Sequence, residues 1–341
     1  MGATPVVTGR RTCHRTVRSA SPSLRLPPPF PMTVTSEPQR TAARPTIGEA
    51  GRTSAFLALV AGALAMGLSP VFVRLADVGP FTSAFWRVAL ALPALYLWMK
   101  LDERGRPGER NARFTQATVL AGLAFSGDLF LWHLAIVNTT IANATFFATT
   151  APLWVVLVTW LVLRRRVARG VVLGLSLCLA GGAALVWDSL SLAPGRLPGD
   201  AFGLGTAVFF GLYFLAVERA RRETRAARVT FETTVVTSAV LFAVALVMEG
   251  RLLPASLEGL LALLVIAWVS HAGGQGLLAI ALGRLPAVFS SLVIFLEAIA
   301  AAFFAWVLLG ESLGPAQISG GALILAGIWL ARPRREIKEE A

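Results

Sequence analysis

The sequence predicts an all-α integral membrane protein: ten transmembrane helices arranged as two inverted five-helix repeats. Three observations predict it. Of 341 residues, 55% are hydrophobic and 15% charged, with a mean hydropathy of +0.68. The apolar residues gather into ten runs, most of them near the roughly 20 residues that cross a bilayer core. The hydrophobic map is also written twice, at an offset of 144 to 146.

The spans fall at about 55–75, 80–100, 115–137, 140–163 and 169–187, then 200–219, 230–248, 259–281, 286–309 and 314–331. Breakers and charges separate them: Gly79-Pro80, the run from Asp102 to Arg113, Ala193-Pro194-Gly195 and Leu253-Pro254. Gly67 is matched by Gly211, Gly127 by Gly273, Ala135 by Ala281 and Trp160 by Trp306. Gly174, Ala180 and Gly181 are matched by Gly320, Ala326 and Gly327. Five spans per copy is an odd number, so the second copy enters the membrane upside down. The repeats occupy residues 55–187 and 200–331, and residues 332–341 form a charged cytoplasmic tail.

The net charge of +12 is a topology signal, not a nucleic-acid footprint. With the N-terminus inside, the inner loops and C-terminal tail carry nineteen Lys and Arg, and the outer loops carry Arg74, Arg196 and Arg251. That bias places both termini in the cytoplasm. The ends of the fourth and ninth spans agree with it: Leu163-Arg164-Arg165 inside, Leu309-Gly310-Glu311 outside.

Residues 1–54 are rich in Arg, Ser, Thr and Pro and have no apolar run, which excludes a secretory signal. They read as a disordered tail, or as an over-extended start with Met32 as the initiator. Their Arg-rich, acid-poor composition also fits a transit peptide. Cys13 and Cys178 supply neither a metal spacing nor a disulfide framework.

The chain resembles the drug/metabolite transporter superfamily, in its EamA-type ten-helix branch. Ala151-Pro152-Leu153-Trp154 through Trp160 and Leu296-Glu297-Ala298 through Glu311 carry the resemblance. So do Asp128 through His133, Thr140 through Thr145, and His271 through Leu277. It implies a plasma-membrane secondary transporter with its substrate site near the midplane, between two halves that rock to alternate access. It also implies export of a small polar or amphipathic metabolite. One departure is Ala298, where the family usually has a proline; Pro152 is kept in the first copy as a hinge.

Ionisable groups inside spans cost roughly 2.5–3.5 kcal/mol each on insertion scales, so those present are candidates for function. Glu297 lies near mid-span and reads as a proton-coupling or amine-binding carboxylate. Asp128 shares a helix face with Trp132, and an acid beside an aromatic wall suits an amine. Arg87 suits a substrate carboxylate, a pair with Asp128 or Glu297, or snorkelling to the surface. His271 and Gln275 sit among Gly273, Gly274 and Gly276, which leave room for a ligand or for a packed helix. Asn143 reads as an entrance residue, His133 as a packing group and Glu232 as interfacial. Each also has a structural reading, as a bonded or packed group between helices. The small-residue runs of the fifth and tenth spans read as packing faces and would also support a homodimer.

The expected partners are a small-molecule substrate, membrane lipids and protons, with no nucleic acid, cofactor or metal. No phosphate-binding Gly-x-x-x-x-Gly-Lys-Ser/Thr motif is present, so a proton or substrate gradient would drive transport. A lipid flippase or scramblase of the same fold is the alternative. An enzyme is disfavoured, because no nucleophile has a matching base.

Overall fold

The computed structural model describes residues 49–105, 112–139, 141–187, 194–310 and 313–332. Most of the 1–54 tail with Cys13 and Met32, the tail beyond Arg332, Thr140 and Glu311 lie outside the described residues. Among the described residues every regular element is helical. Among these residues, eight helices are long and apolar enough to span a bilayer. We label the helices α1 (Ala50–Leu75), α2 (Pro80–Arg104), α3 (Gln116–Asn138), α4 (Asn143–Leu161), α5 (Arg169–Leu185), α6 (Leu197–Ala220), α7 (Ala226–Met248), α8 (Leu257–Leu282), α9 (Ala287–Leu308) and α10 (Pro315–Leu330).

Here α5 and α10 fall short of the sequence expectation. They hold 17 and 16 residues. At about 1.5 Å per residue they reach about 25 Å, less than a core of about 30 Å.

The helix starts follow local chemistry. The Thr115 hydroxyl accepts from Thr118 N–H at 3.2 Å and caps α3, and the Ser256 hydroxyl accepts from Gly259 N–H at 2.9 Å and caps α8. Pro80 and Pro315 open α2 and α10, where the missing N–H costs nothing.

The duplication is visible atom by atom. A methyl group built on Gly67 would lie 2.9 Å from the Glu297 carbonyl and 2.5 Å from the Ala300 Cβ. Its sequence mate Gly211 would meet the Ala151 carbonyl at 3.2 Å and the Trp154 Cβ at 3.1 Å. Ala151 and Trp154 are the mates of Glu297 and Ala300, so the two contacts are one contact made twice. The α5–α10 pair is related to itself in the same way. Gly174 presses on the Gly327 carbonyl and Gly181 on the Gly320 carbonyl, each at 2.5 Å for an added Cβ.

Larger packing obeys the same swap. The α3–α6 contact is repeated as α8–α1, and α4–α6 as α9–α1.

Four long helices are interrupted. α1 breaks at Gly67-Leu68, α2 at Leu90-Ala91 and α4 at Thr149-Thr150, each two or three residues before a proline (Pro70, Pro93, Pro152). A proline withdraws one N–H and crowds the carbonyl four residues back, which loosens the ladder there. α9 breaks at Ile294 although it carries Ala298 in place of the proline. In α4 the turn tightens through Thr150 N–H to Phe147 O (3.1 Å) and Leu153 N–H to Thr150 O (2.9 Å). In α9 it tightens through Ile294 N–H to Ser291 O (3.2 Å) and Glu297 N–H to Ile294 O (2.8 Å). The break therefore outlasts the loss of the proline. In α8 the segment Ile266–Gln275 is wound as a π-helix.

The ends of α4 and α9 differ in one telling way. Gly310 closes α9 in the left-handed region, at φ 71°. Its mate Arg164 takes the same conformation, at φ 50°. Glycine tolerates this backbone and other L-residues are strained by roughly 1–2 kcal/mol. Replacing Arg164 with glycine is expected to stabilise the protein by about 1 kcal/mol, read as a higher thermal midpoint in detergent. A lower midpoint would mean that the arginine contributes more than its backbone costs.

Candidate functional site

The broken helices meet around a cavity of about 90 Å³. That is room for several waters. Its wall combines Arg87 from α2, Asp128 and Trp132 from α3, Pro152 from α4, Gln275 from α8 and Glu297 from α9. Six of the residues singled out in the sequence thus share one space. The other two, His271 and Asn143, lie outside its lining.

Of the three charges, Arg87 is held by a hydrogen bond. Arg87 is buried, with 7% of its surface exposed, and donates from Nη1 to Ser69 Oγ at 3.2 Å. Its Nε–H has no hydrogen-bond partner among the described residues. Asp128 is also 7% exposed. Among the described residues neither Asp128 nor Glu297 makes a hydrogen bond or ion pair through its carboxylate. Arg87, Asp128 and Glu297 lie within electrostatic range of one another. One guanidinium and two carboxylates therefore face one low-dielectric space with their bonding capacity largely unspent.

Glu297 lies in the first turn of the half-helix that restarts after Ile294. The positive end of that helix dipole favours an anion. The α4 half-helix restarts at Ala151, and its first turn carries no acid. One helix end is already matched to its own carboxylate and the other faces the cavity without one.

Gln275 is held rather than free. Its Oε1 accepts from Tyr213 Oη–H at 3.0 Å, and its Nε2 donates to Met66 Sδ at 3.2 Å. His271 lies one turn away, its Nε2 2.9 Å from Thr234 Oγ1 and its ring 5.5 Å from that of Phe125. Asn143 donates to Asp200 Oδ1 at 2.8 Å, as does Thr139 Oγ1 at the same distance. This ties the α3–α4 turn to the start of α6. His133 bonds back to its own helix, Nδ1 to Leu129 O at 2.6 Å. Glu232 is buried: it accepts from Phe114 N–H at 2.8 Å and pairs with Arg228 at 3.1 Å.

Sequence reading missed the neutral polar groups of the wall, among them Ser69, Thr145, Thr149, Thr206 and Ser291. Thr149 and Ser291 bond back to their own helix, to Phe146 O at 2.7 Å and Val288 O at 3.1 Å, and such a hydroxyl gives no signal, while Thr206 Oγ1 is buried without a hydrogen-bond partner among the described residues. The aromatic wall of Phe125, Phe210, Phe214 and Phe295 was hidden among many apolar neighbours.

Two carboxylates clip α2 to α7. Glu249 accepts from Phe81 N–H at 2.7 Å and Thr82 N–H at 3.1 Å, at the start of α2. Its sequence mate Glu103 pairs with Arg228, the mate of Thr82, in the first turn of α7. Beside the first clip, Asp77 accepts from Ala255 N–H at 2.8 Å. Burial pushes the Asp77 carboxyl up, but hydrogen bonds from Ser256 and Ala255 outweigh it and hold it below the usual carboxylate range. Its contribution is therefore present above the unfolded value of about 3.9 and is lost as pH falls through the lower folded value. In a carboxyl titration by NMR, Asp77 is expected to protonate at a lower pH than a free aspartate.

At the next level, the EamA-like transporter family model matches residues 53–187 and 197–332. A crystal structure described only as that of a protein resembles the fold with a TM-score of 0.72, over 82% of this chain and 98% of its own, at 19% sequence identity. That likeness speaks for the fold alone. No curated protein sequence matches significantly.

Proposed function

Because the chain belongs to the EamA-like transporter family and so is a multi-pass membrane transporter of the drug/metabolite type, we propose that it exports a small metabolite from the cytoplasm across the plasma membrane by alternating access. In this reading α5 and α10 also cross the bilayer, giving ten spans with both termini cytoplasmic. The excess of Lys and Arg on one side supports that orientation.

The observation that carries the proposal is the cavity where Arg87, Asp128 and Glu297 meet beside the restarts of α4 and α9. Broken helices whose half-helix ends face a midplane site are the recurring device of secondary transporters. A zwitterionic or amine-bearing metabolite matches the wall: its amine against Asp128 and Trp132, its acidic group toward Arg87 and the open end of α4. Glu297 is the residue that exchanges a proton or the substrate amine as the halves rock. Pro152 and the tightened turn at Ile294 are the hinges.

The test compares metabolites in the medium of cells producing the protein with those of a Glu297→Gln variant at equal membrane abundance. A compound enriched outside by the unmodified protein and at background with the variant is the expected result. Equal enrichment with both would remove Glu297 from the mechanism. Enrichment with neither would remove export.

A further inference from the structure

The turn between α4 and α5 carries charge that its own fold does not use. Arg164, Arg165, Arg166 and Arg169 are all exposed. None of their side chains makes a hydrogen bond or ion pair among the described residues. Other arginines at the same end of the bundle are engaged: Arg225 with Asp102 at 3.4 Å, Arg222 with Glu218 at 3.7 Å, and Arg228 with Glu103. Along the chain, the nearest acids to the cluster are Asp128 and Asp188.

The backbone and the helix dipole make this arrangement costly. Arg164 occupies the left-handed position that glycine fills in the second copy. Arg169 opens α5, the end of a helix that repels cations. A strained residue that persists at one site is a pointer to function. The turn also follows directly on an apolar, lipid-facing stretch: Trp160 is 59% exposed, Leu161 58% and Val162 71%. An exposed apolar band ending in unpaired arginines places those arginines at the level of the phospholipid headgroups.

We propose that this turn binds the headgroup of an anionic phospholipid. The planar guanidinium fork matches a phosphodiester bidentately, and four such forks lie within six residues of one turn. The lipid's acyl chains continue along the exposed face of α4. The anion supplies the counter-charge that no residue of the turn provides.

Full-length protein in nanodiscs of mixed phosphatidylcholine and phosphatidylglycerol tests this. Either lipid is brominated in turn, and tryptophan quenching is measured as the difference between the protein and its W160F variant. That difference reports the lipid beside Trp160. Phosphatidylglycerol is expected to quench in excess of its share of the bilayer, less so at high salt. The excess is expected to fall about fivefold for each arginine replaced in R165Q/R166Q, at about 1 kcal/mol per charge near the surface. If that variant fails to insert, R164G serves in its place, because glycine suits the backbone there; the same fivefold fall is expected. Equal quenching by the two lipids, or an excess that survives R164G or R165Q/R166Q unchanged, overturns the proposal.

Discussion

Replacing Arg87 with glutamine is expected to abolish transport and to destabilise the protein by about 3–5 kcal/mol. Arg87 is the cation of the cavity wall, and Asp128 and Glu297 are its carboxylates. Without the guanidinium, the two carboxyl groups share a cavity without a counter-charge, where the effective dielectric is far below that of water. Ser69 also loses the donor at 3.2 Å. The loss should be partly reversed by adding Glu297→Gln, which removes one of the two charges. A stability measurement in mixed micelles on the two single variants and the double variant gives the coupling directly. Additive effects would mean that Arg87 and Glu297 do not share a field. Transport by the double variant should stay at background, since relieving the repulsion restores folding and not recognition.

The second large effect is expected at the α5–α10 contact. Gly181 and Gly320 meet with an added Cβ only 2.5 Å from the opposing carbonyl in either direction. The obstacle is backbone, which cannot rotate away as a side chain can. Alanine at Gly181 should cost about 1–3 kcal/mol, and leucine more. In the membrane this close approach is what holds such helices together, since lipid tails are as apolar as the side chains they replace. The sequence mates Gly174 and Gly320, and likewise Gly181 and Gly327, should respond alike to alanine. A thermal midpoint that falls for one member of a pair and not for the other would break the equivalence.

How much of this was legible beforehand depends on the kind of signal. The repeat was legible because it rests on small residues such as Gly67 and Gly211, whose contacts are with backbone and survive sequence drift. The charges of the cavity were legible because an ionised group in a span is expensive, so Arg87, Asp128 and Glu297 stand out from their neighbours. Neutral groups were not. Ser69 and Thr206 carry no charge to mark them, and Tyr213 is one aromatic among many until its hydroxyl is seen on Gln275. His271 was read as a cavity residue from its glycine neighbours, but its position is set by Thr234 and Phe125, which come from α7 and α3. Asp200, which holds Asn143, gave no signal in the sequence. Partners on other helices leave no trace in local spacing. The ends of α5 and α10 were read one or two residues long, because their apolar runs continue into turns.

The backbone obeys a two-fold swap and the chemistry of the cavity does not. Asp128 has Gly274 at the matching position, Trp132 has Leu278, Arg87 has Thr233, and Glu297 has Ala151. Two copies of the first half, assembled head to tail as an antiparallel homodimer, would rebuild the frame with a doubled arginine and aspartate and no Glu297. Two copies of the second half would hold two glutamates and no guanidinium. The halves have become mutually dependent, as distinct subunits of a heterodimer are, and neither can serve as the other's replacement.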